Sequence, residues 1–212
     1  MSGPGEESFN AIILAGGRSS RLGGEPKAGL LVNGEPLLVR TLRAAGDAVQ
    51  TAVVGPPGLA GLLAGVPFAG VIVREDPPFS GPAAAVGAAV TALTELQDEN
   101  PPSPWTLVLA CDMPESARAV DALLEAARLG PPQSVLAVDS SGKAQPLAGI
   151  YRTDDLLAAV TGSPDGLANL SMFSMLARVQ WREVAVPEGS TADVDTWADA
   201  GKWGIQRGPR TA

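Results

Sequence analysis

Fourteen residues near the N-terminus, Leu14 to Lys27 (LAGGRSSRLGGEPK), hold two Gly-Gly pairs and three cations, Arg18, Arg21 and Lys27. Glycine has no Cβ, so backbone N–H groups in such a loop can approach a ligand closely. Arg21 and Lys27 carry permanent charge suited to phosphate. The whole chain has a net charge of −8. Cations gathered in a Gly-rich loop against that background point to an anionic ligand; a solvated surface loop is the ordinary alternative. A second group is acidic. Asp112 follows the most apolar stretch of the chain, Trp105 to Ala110, and Asp193 and Asp195 stand near the C-terminus. Mg²⁺ takes oxygen ligands, keeps several waters and uses one or two carboxylates plus substrate phosphates. Asp112, with Asp195 as a second ligand, meets that requirement. Each also fits a helix N-cap, Asp112 ahead of Glu115 to Arg128 and Asp195 ahead of Thr196 to Trp203.

The absences narrow the chemistry. The chain has no histidine and one cysteine, Cys111. Ser-His-Asp and Cys-His arrangements, HExxH zinc sites and a disulfide framework are all excluded. Cys111 reads as a small apolar residue. Catalysis is left to carboxylates, Lys, Arg, hydroxyls, backbone amides and a hard metal ion held by oxygen. No GxxxxGK[ST] or GxGxxG occurs, so P-loop and dinucleotide-binding readings lose their support. The acidic balance makes nucleic acid and anionic membrane poor partners. No apolar run reaches the ~18 residues of a membrane span. The first eight residues, MSGPGEES, lack the basic and apolar regions of a signal peptide, so a reducing cytoplasm is expected.

The elements that must position these residues alternate. Phe9 to Ala15 reads as a strand ending in a glycine turn, and Pro36 to Ala45 as a helix with proline at an early position. Gln50 to Val54 and Val71 to Val73 read as strands, Leu59 to Leu63 and Ala83 to Leu96 as helices. Asp98 to Pro104 (DENPPSP) is a proline-bound surface loop. Trp105 to Ala110 is a strand, and Val120, Leu123, Leu124 and Ala127 mark a helix by their spacing. Ser134 to Val138 and Pro146 to Tyr151 are strands around an Asp139 to Lys143 turn. Asp154 to Val160 and Leu167 to Leu176 read as helices, Val179 to Val186 as a strand, Thr196 to Trp203 as a helix, and 204–212 as a frayed tail. The four tryptophans and the Ala83–Leu96 stripe read as packing. Repeated strand–helix order predicts a three-layer αβα sandwich with a mostly parallel, Rossmann-like sheet in a single domain of 1–212. Its site lies beyond the strand C-termini. Three loops leave such ends with unusual residues: Ala15 to Lys27, Glu75 to Pro82 and Cys111 to Pro114.

LAGGRSSRLGGEPK resembles the first loop of nucleotidyltransferases of the sugar-nucleotide pyrophosphorylase superfamily. Within that group the chain is most similar to the molybdenum cofactor guanylyltransferase family. EDPPFSGPAAAV resembles that family's acidic Gly-Pro segment, LACDMP its metal-binding CDxP, QPLAGIY the strand before its acceptor region, and DVDTWADA its closing motif. These segments run from Ala11 to about Ala200. The chain departs from the family at Pro26, where Asp is common. It departs again at Gly55, where Asn often stands near the base, and at Asp193, Asp195 and Trp197 in the closing motif.

The resemblance implies a nucleotide-diphospho-sugar transferase type of fold and Mg²⁺-dependent transfer of GMP from GTP to a molybdenum-molybdopterin acceptor. Mn²⁺ is an alternative metal. Leu14, Ala15, Gly16 and Gly17 would meet base and phosphates, and Arg21 and Lys27 the triphosphate. Asp76 would accept from base or ribose, Gly81 would shape the wall, and Asp112, with Asp195, would hold the metal. Arg21, Lys27 and Asp112 carry the catalysis. Residues 1–115 would form the nucleotide half and 116–203 the acceptor half. A monomer or small homo-oligomer is expected, with transient contacts to molybdoenzyme-maturation proteins. A cytidylyltransferase, another NTP transferase with a different phosphorylated acceptor, and a non-catalytic nucleotide-binding homologue are the competing expectations.

Overall fold

Phe9–Leu14 (β1) is buried on both faces and apolar but for Asn10, as suits a strand covered by helices on either side. A computed structural model describes residues 8–96, 103–163 and 166–208. After β1 come β2 (Leu31–Val32), β3 (Glu35–Pro36), α1 (Leu37–Ala44), β4 (Thr51–Val54), α2 (Leu59–Leu62), β5 (Gly70–Val73) and α3 (Pro82–Glu95). The chain continues through β6 (Trp105–Ala110), α4 (Ser116–Leu129), β7 (Ser134–Val138), β8 (Ala144–Arg152), α5 (Thr153–Thr161), α6 (Met172–Met175), β9 (Trp181–Ala185) and α7 (Trp197–Lys202).

A seven-stranded sheet runs β5-β4-β1-β6-β8-β7-β9. β5, β4, β1 and β6 are mutually parallel, and β7 is parallel to β9. β8 is antiparallel to both β6 and β7, so it alone runs against the rest. The reason is local: the Asp139–Lys143 turn makes β7 and β8 a hairpin, which leaves no crossover helix between them. Helices α1, α2 and α4 cover one face, packing on Ile13, Val53, Leu107 and Leu109. Helices α3, α5 and α6 cover the other, packing on Ile12, Ala52, Val54 and Val108. The architecture is the three-layer α/β sandwich with a mostly parallel sheet. Each fully buried Leu or Ile of these faces contributes about 1.5–3 kcal/mol.

A third, small cluster lies at the sheet's carboxyl edge. Leu22, Leu30, Val32 and Leu37 pack there on Val194, Ala200 and Ile205. It staples the Gly-rich loop and the β2–β3 hairpin to α7.

Three sequence expectations change. Helix is absent from Leu167 to Ser171; Asn169 is left-handed (φ 61°), its N–H bonds the Ser80 carbonyl at 2.6 Å, and Ser171 caps the short α6 instead. The segment 204–208 is not frayed: Leu31 and Gln206 exchange both backbone bonds at 2.8 and 2.9 Å, and Ile205 is buried. Pro36 sits in the small hairpin rather than in α1. Of DENPPSP, 98–102 lie outside the described residues, as do 209–212 of the tail; Ser103 is buried.

Candidate active site

Registers place three loops at one edge. Leu14 is level with Val54 on one side and Ala110 on the other, and Val54 is level with Val73. The ladder continues one residue further. Ala15 N–H donates to Val54 O at 2.8 Å, and Cys111 N–H to Leu14 O at 3.0 Å. The Gly-rich loop therefore starts between Gly55 and Asp112, where the strand order switches from leftward to rightward, the place where open α/β sheets bind ligands. Ala15 itself is buried with its N–H committed to that ladder, so it frames the site without donating to a ligand.

Beyond Gly17 the loop folds into a 3-10 turn, Ser20–Leu22, closed by Gly23 and Gly24 in left-handed conformations (φ 72° and 82°) that a Cβ would disfavour. Leu22 anchors this turn in the small cluster, which fixes Arg21 at its rim. Lys27 opens a second 3-10 turn whose Ala28 is buried. Asp112 is held by its neighbours. Arg40 of α1 donates to the Pro114 carbonyl and, at 2.7 Å, to Glu115. Val194 N–H donates to Asp112 O at 3.0 Å, which brings the closing segment beside β6.

The result is a charge knot. Lys27 Nζ lies 2.7 Å from Asp112 Oδ2 and 2.5 Å from Asp195 Oδ1, while Arg21 Nη1 lies 3.0 Å from Asp195 Oδ2. Burial alone would lower the Lys27 pKa, but Asp112 and Asp195 outweigh it and hold the ammonium above its ordinary 10.5. Asp193 is pushed above the ordinary carboxylate value, first by burial and then by the negative charges of Asp195 and Asp112. Burial, reinforced by Asp112, also raises the Cys111 thiol, which rules out a thiolate nucleophile. Neither aspartate is a helix cap. Glu115 occupies the α4 cap position without a side-chain bond, and Thr196 forms a capping box with Asp199 at α7.

Two cavities meet here. A cleft of about 340 Å³ is lined by Leu14, Gly16, Gly17, Arg18, Lys27, Val54, Glu75, Phe79, Gly81, Pro82 and Asp112, among others. A smaller one of about 270 Å³ joins Gly16, Gly17 and Arg18–Arg21 to Lys27, Asp112 and Asp195. The cleft thus has a base-sized, largely apolar end over β4 and β5 and a charged end at β1 and β6. On the far side of Asp112 a cavity of about 550 Å³ is lined by Met113, Lys143, Gln145, Leu147, Glu188 and Asp193.

The structure brings together Leu14, Gly16, Gly17, Lys27, Gly81 and Asp112 in the cleft, with Arg21 and Asp195 at its charged end. It does not bring Asp76, which is exposed and outside the lining residues. The acid at the cleft is its neighbour Glu75, 9% exposed. Strand alternation carries the signal: Val71, Val73 and Glu75 share one face, and Arg74 and Asp76 the other. Gly55 has no room for a side chain, since a Cβ there would lie 2.6 Å from Leu59 Cδ1 and 3.2 Å from Ala15 backbone atoms. Phe79 and Arg18, unassigned by sequence reasoning, also line the cleft.

Among the described residues no group of three or more His, Cys, Asp or Glu could hold a metal by itself. Asp112 and Asp195 nevertheless converge on one cation, Lys27 Nζ, and so fit a hard divalent ion completed by water and phosphate oxygens.

An apolar seat, a cationic loop and converging carboxylates, in that order along one strand edge, suit the binding and splitting of a nucleoside triphosphate, and the protein is of the nucleotidyltransferase class. Comparison narrows the class: residues 11–178 match the MobA-like NTP transferase domain, and the chain belongs to that family. A Synechococcus elongatus protein named as a probable molybdenum cofactor guanylyltransferase is 35% identical over 147 residues, covering 68% of this chain and 72% of that protein. In fold, the chain resembles the molybdopterin-guanine dinucleotide biosynthesis protein A of Archaeoglobus fulgidus (TM-score 0.62, 18% identity, 92% of this chain and 96% of that one). It also resembles a Mycobacterium tuberculosis protein solved in complex with manganese (TM-score 0.65, 18% identity, 92% and 97%).

Proposed function

We propose that the protein transfers GMP from GTP to the phosphate of a molybdopterin-type acceptor, releasing pyrophosphate. The observation that carries the reading is Lys27 clasped between Asp112 and Asp195 at the mouth of the Gly-rich loop. The guanine and molybdopterin assignments rest on the names of the 33–35% identical relatives.

The triphosphate lies along the loop, its γ and β groups on Arg21 and Lys27, its base at the Val54–Pro82 end. An oxygen of the acceptor phosphate attacks the α-phosphorus in line. The bond from that phosphorus to the α–β bridging oxygen breaks, and the charge growing on pyrophosphate falls on Lys27 and Arg21. The attacking monoester is already ionised at neutral pH, so no general base is needed. Catalysis is positioning and charge compensation, chemistry open to a chain without histidine. Asp112 and Asp195 would hold the divalent ion, Mg²⁺ or Mn²⁺, which supplies further charge neutralisation at the α-phosphate. We assign the 550 Å³ cavity beyond Asp112 to the acceptor, with Lys143 and Gln145 on its wall. In this reading residues 1–115 would form the nucleotide half and 116–203 the acceptor half, with Asp195 reaching back to the cations of the first loop. Among the described residues no helix is long and apolar enough to cross a membrane.

Pyrophosphate release is measured with GTP, CTP, ATP and UTP, each with and without molybdopterin. The reading expects release with GTP only when the acceptor is present. Lys27→Ala and Asp112→Ala should each lower it by at least 10²-fold with the fold retained. Preference for CTP, or wild-type turnover in either variant, refutes it.

A further inference from the structure

Phe79 is an odd residue for a cleft wall. Its backbone is left-handed (φ 65°), a conformation that bulky side chains avoid and that persists only where the surroundings impose it. The surroundings are visible. Glu75 Oε1 accepts the Phe79 N–H at 2.9 Å, Ser80 Oγ donates to Pro77 O at 2.6 Å, and the Ser80 carbonyl takes Asn169 N–H at 2.6 Å. All this holds an aromatic ring 46% exposed at the base end of the cleft. Two guanidinium groups, those of Arg18 and Arg74, each lie 5.3 Å from the ring centroid. Arg18 also lines the smaller cavity beside Arg21 and Lys27. One arginine therefore borders both a π face and the phosphate seat.

We propose that Phe79 is the platform on which the nucleobase stacks, and that Arg18 leaves the ring for the phosphates when a nucleotide enters. This rests on the nucleotide-binding reading above and adds the group that grips the base. A guanidinium and a purine compete for the same ring face, because both bind it through its π electrons. Exchange lets Arg18 pass from a weak exposed contact to a charge-assisted bond with phosphate. Stacking favours a purine, the larger π surface, over a pyrimidine. Glu75 acts as a positioning residue by fixing the Phe79 backbone.

The test is nucleotide binding by calorimetry, with Mg²⁺ present and molybdopterin absent, using GTP and, as a probe without a base, inorganic pyrophosphate. Phe79→Ala and Phe79→Leu should each raise the Kd for GTP roughly tenfold, and Phe79→Trp should restore it. Pyrophosphate should bind the Ala and Leu variants at least as tightly as wild type, since no ring then holds Arg18 away from it. The proposal is overturned if Phe79→Leu keeps the wild-type GTP affinity, since any apolar cover would then serve. Parallel weakening of pyrophosphate and GTP overturns it too, since the loop alone would be at fault. Should wild-type protein release no pyrophosphate with GTP and molybdopterin, the transfer reading fails while this series still decides the platform.

Discussion

Asp195→Asn should tighten pyrophosphate binding when no divalent ion is present. The carboxylate of Asp195 already engages Arg21 and Lys27, the two cations a pyrophosphate group would use, so the ligand must compete with it. The Arg21 contact is weak, because the arginine side chain is 72% exposed; such pairs contribute about 0–1 kcal/mol, and the low end applies here. The Lys27 contact is short and half-buried. A hydrogen bond to a charged group is worth about 1.5–3 kcal/mol, to be discounted because Asp195 is 40% exposed and Asp112 keeps its own hold on the ammonium. Together they cost the ligand about 2 kcal/mol. Asparagine keeps an oxygen for one neutral bond and returns somewhat more than half of that. At about 1.4 kcal/mol per decade, the variant should bind pyrophosphate roughly tenfold more tightly in EDTA. With Mg²⁺ the sign reverses, because the variant loses half of the carboxylate pair that would hold the ion. Calorimetry of pyrophosphate in EDTA and in Mg²⁺, with thermal melts as a check on folding, reads both effects. Unchanged or weaker binding in EDTA would refute the idea that Asp195 occupies a phosphate's place.

Two further outcomes concern the frame of the site. The Thr196 hydroxyl, then Lys202, holds Asp199 down to about 2; its stabilisation is present above the ordinary 3.8 and is lost as pH falls from there through about 2, so Asp199→Asn should flatten the decline of Tm in that window. Gly55→Asn, which puts back the side chain common in the family, should cost about 1–3 kcal/mol by overpacking Leu59 and Ala15 and lower Tm by several degrees, with no gain in GTP affinity by calorimetry.

The strands at the centre of the sheet were legible because β1 and β6 are six-residue stretches, apolar but for Asn10 and Thr106, with glycine, proline or an aspartate close to their ends, too short for a helix. The Gly-rich loop and Asp112 were legible for the same reason: they directly follow those strands. The β2–β3 hairpin was not, although Asn33-Gly34, both left-handed (φ 52° and 82°), is a hairpin signal; strands two residues long leave no alternation to read. Leu167 to Leu176 has helical apolar spacing, yet the tertiary bond from Asn169 N–H to the Ser80 carbonyl outweighs the local preference over its first half. The Arg21–Asp195 contact spans 174 residues. No local pattern announces it; it follows from Leu22 and Val194, the buried neighbours of those two residues, sharing one small cluster.

That cluster also explains how a marginal set of charges stays in place. The ion-paired cations Arg21 and Lys27 stand against Asp112, Asp195 and the partly buried Asp193, the last held closer to neutrality first by burial and then by the charges of the other two; Arg18, on the Phe79 ring, lies outside this network. A bare triphosphate would add several negative charges to a site already short of positive ones. It can enter favourably only if a divalent ion accompanies it, or if Asp195 gives up its cations as the phosphates take them. Nucleotide and ion should therefore bind with mutual assistance, the linkage expected when each neutralises the charge that repels the other. The acidic balance of the chain, which first argued against polyanionic partners, makes the same point at closer range: phosphate is accepted here most favourably in the company of a divalent cation.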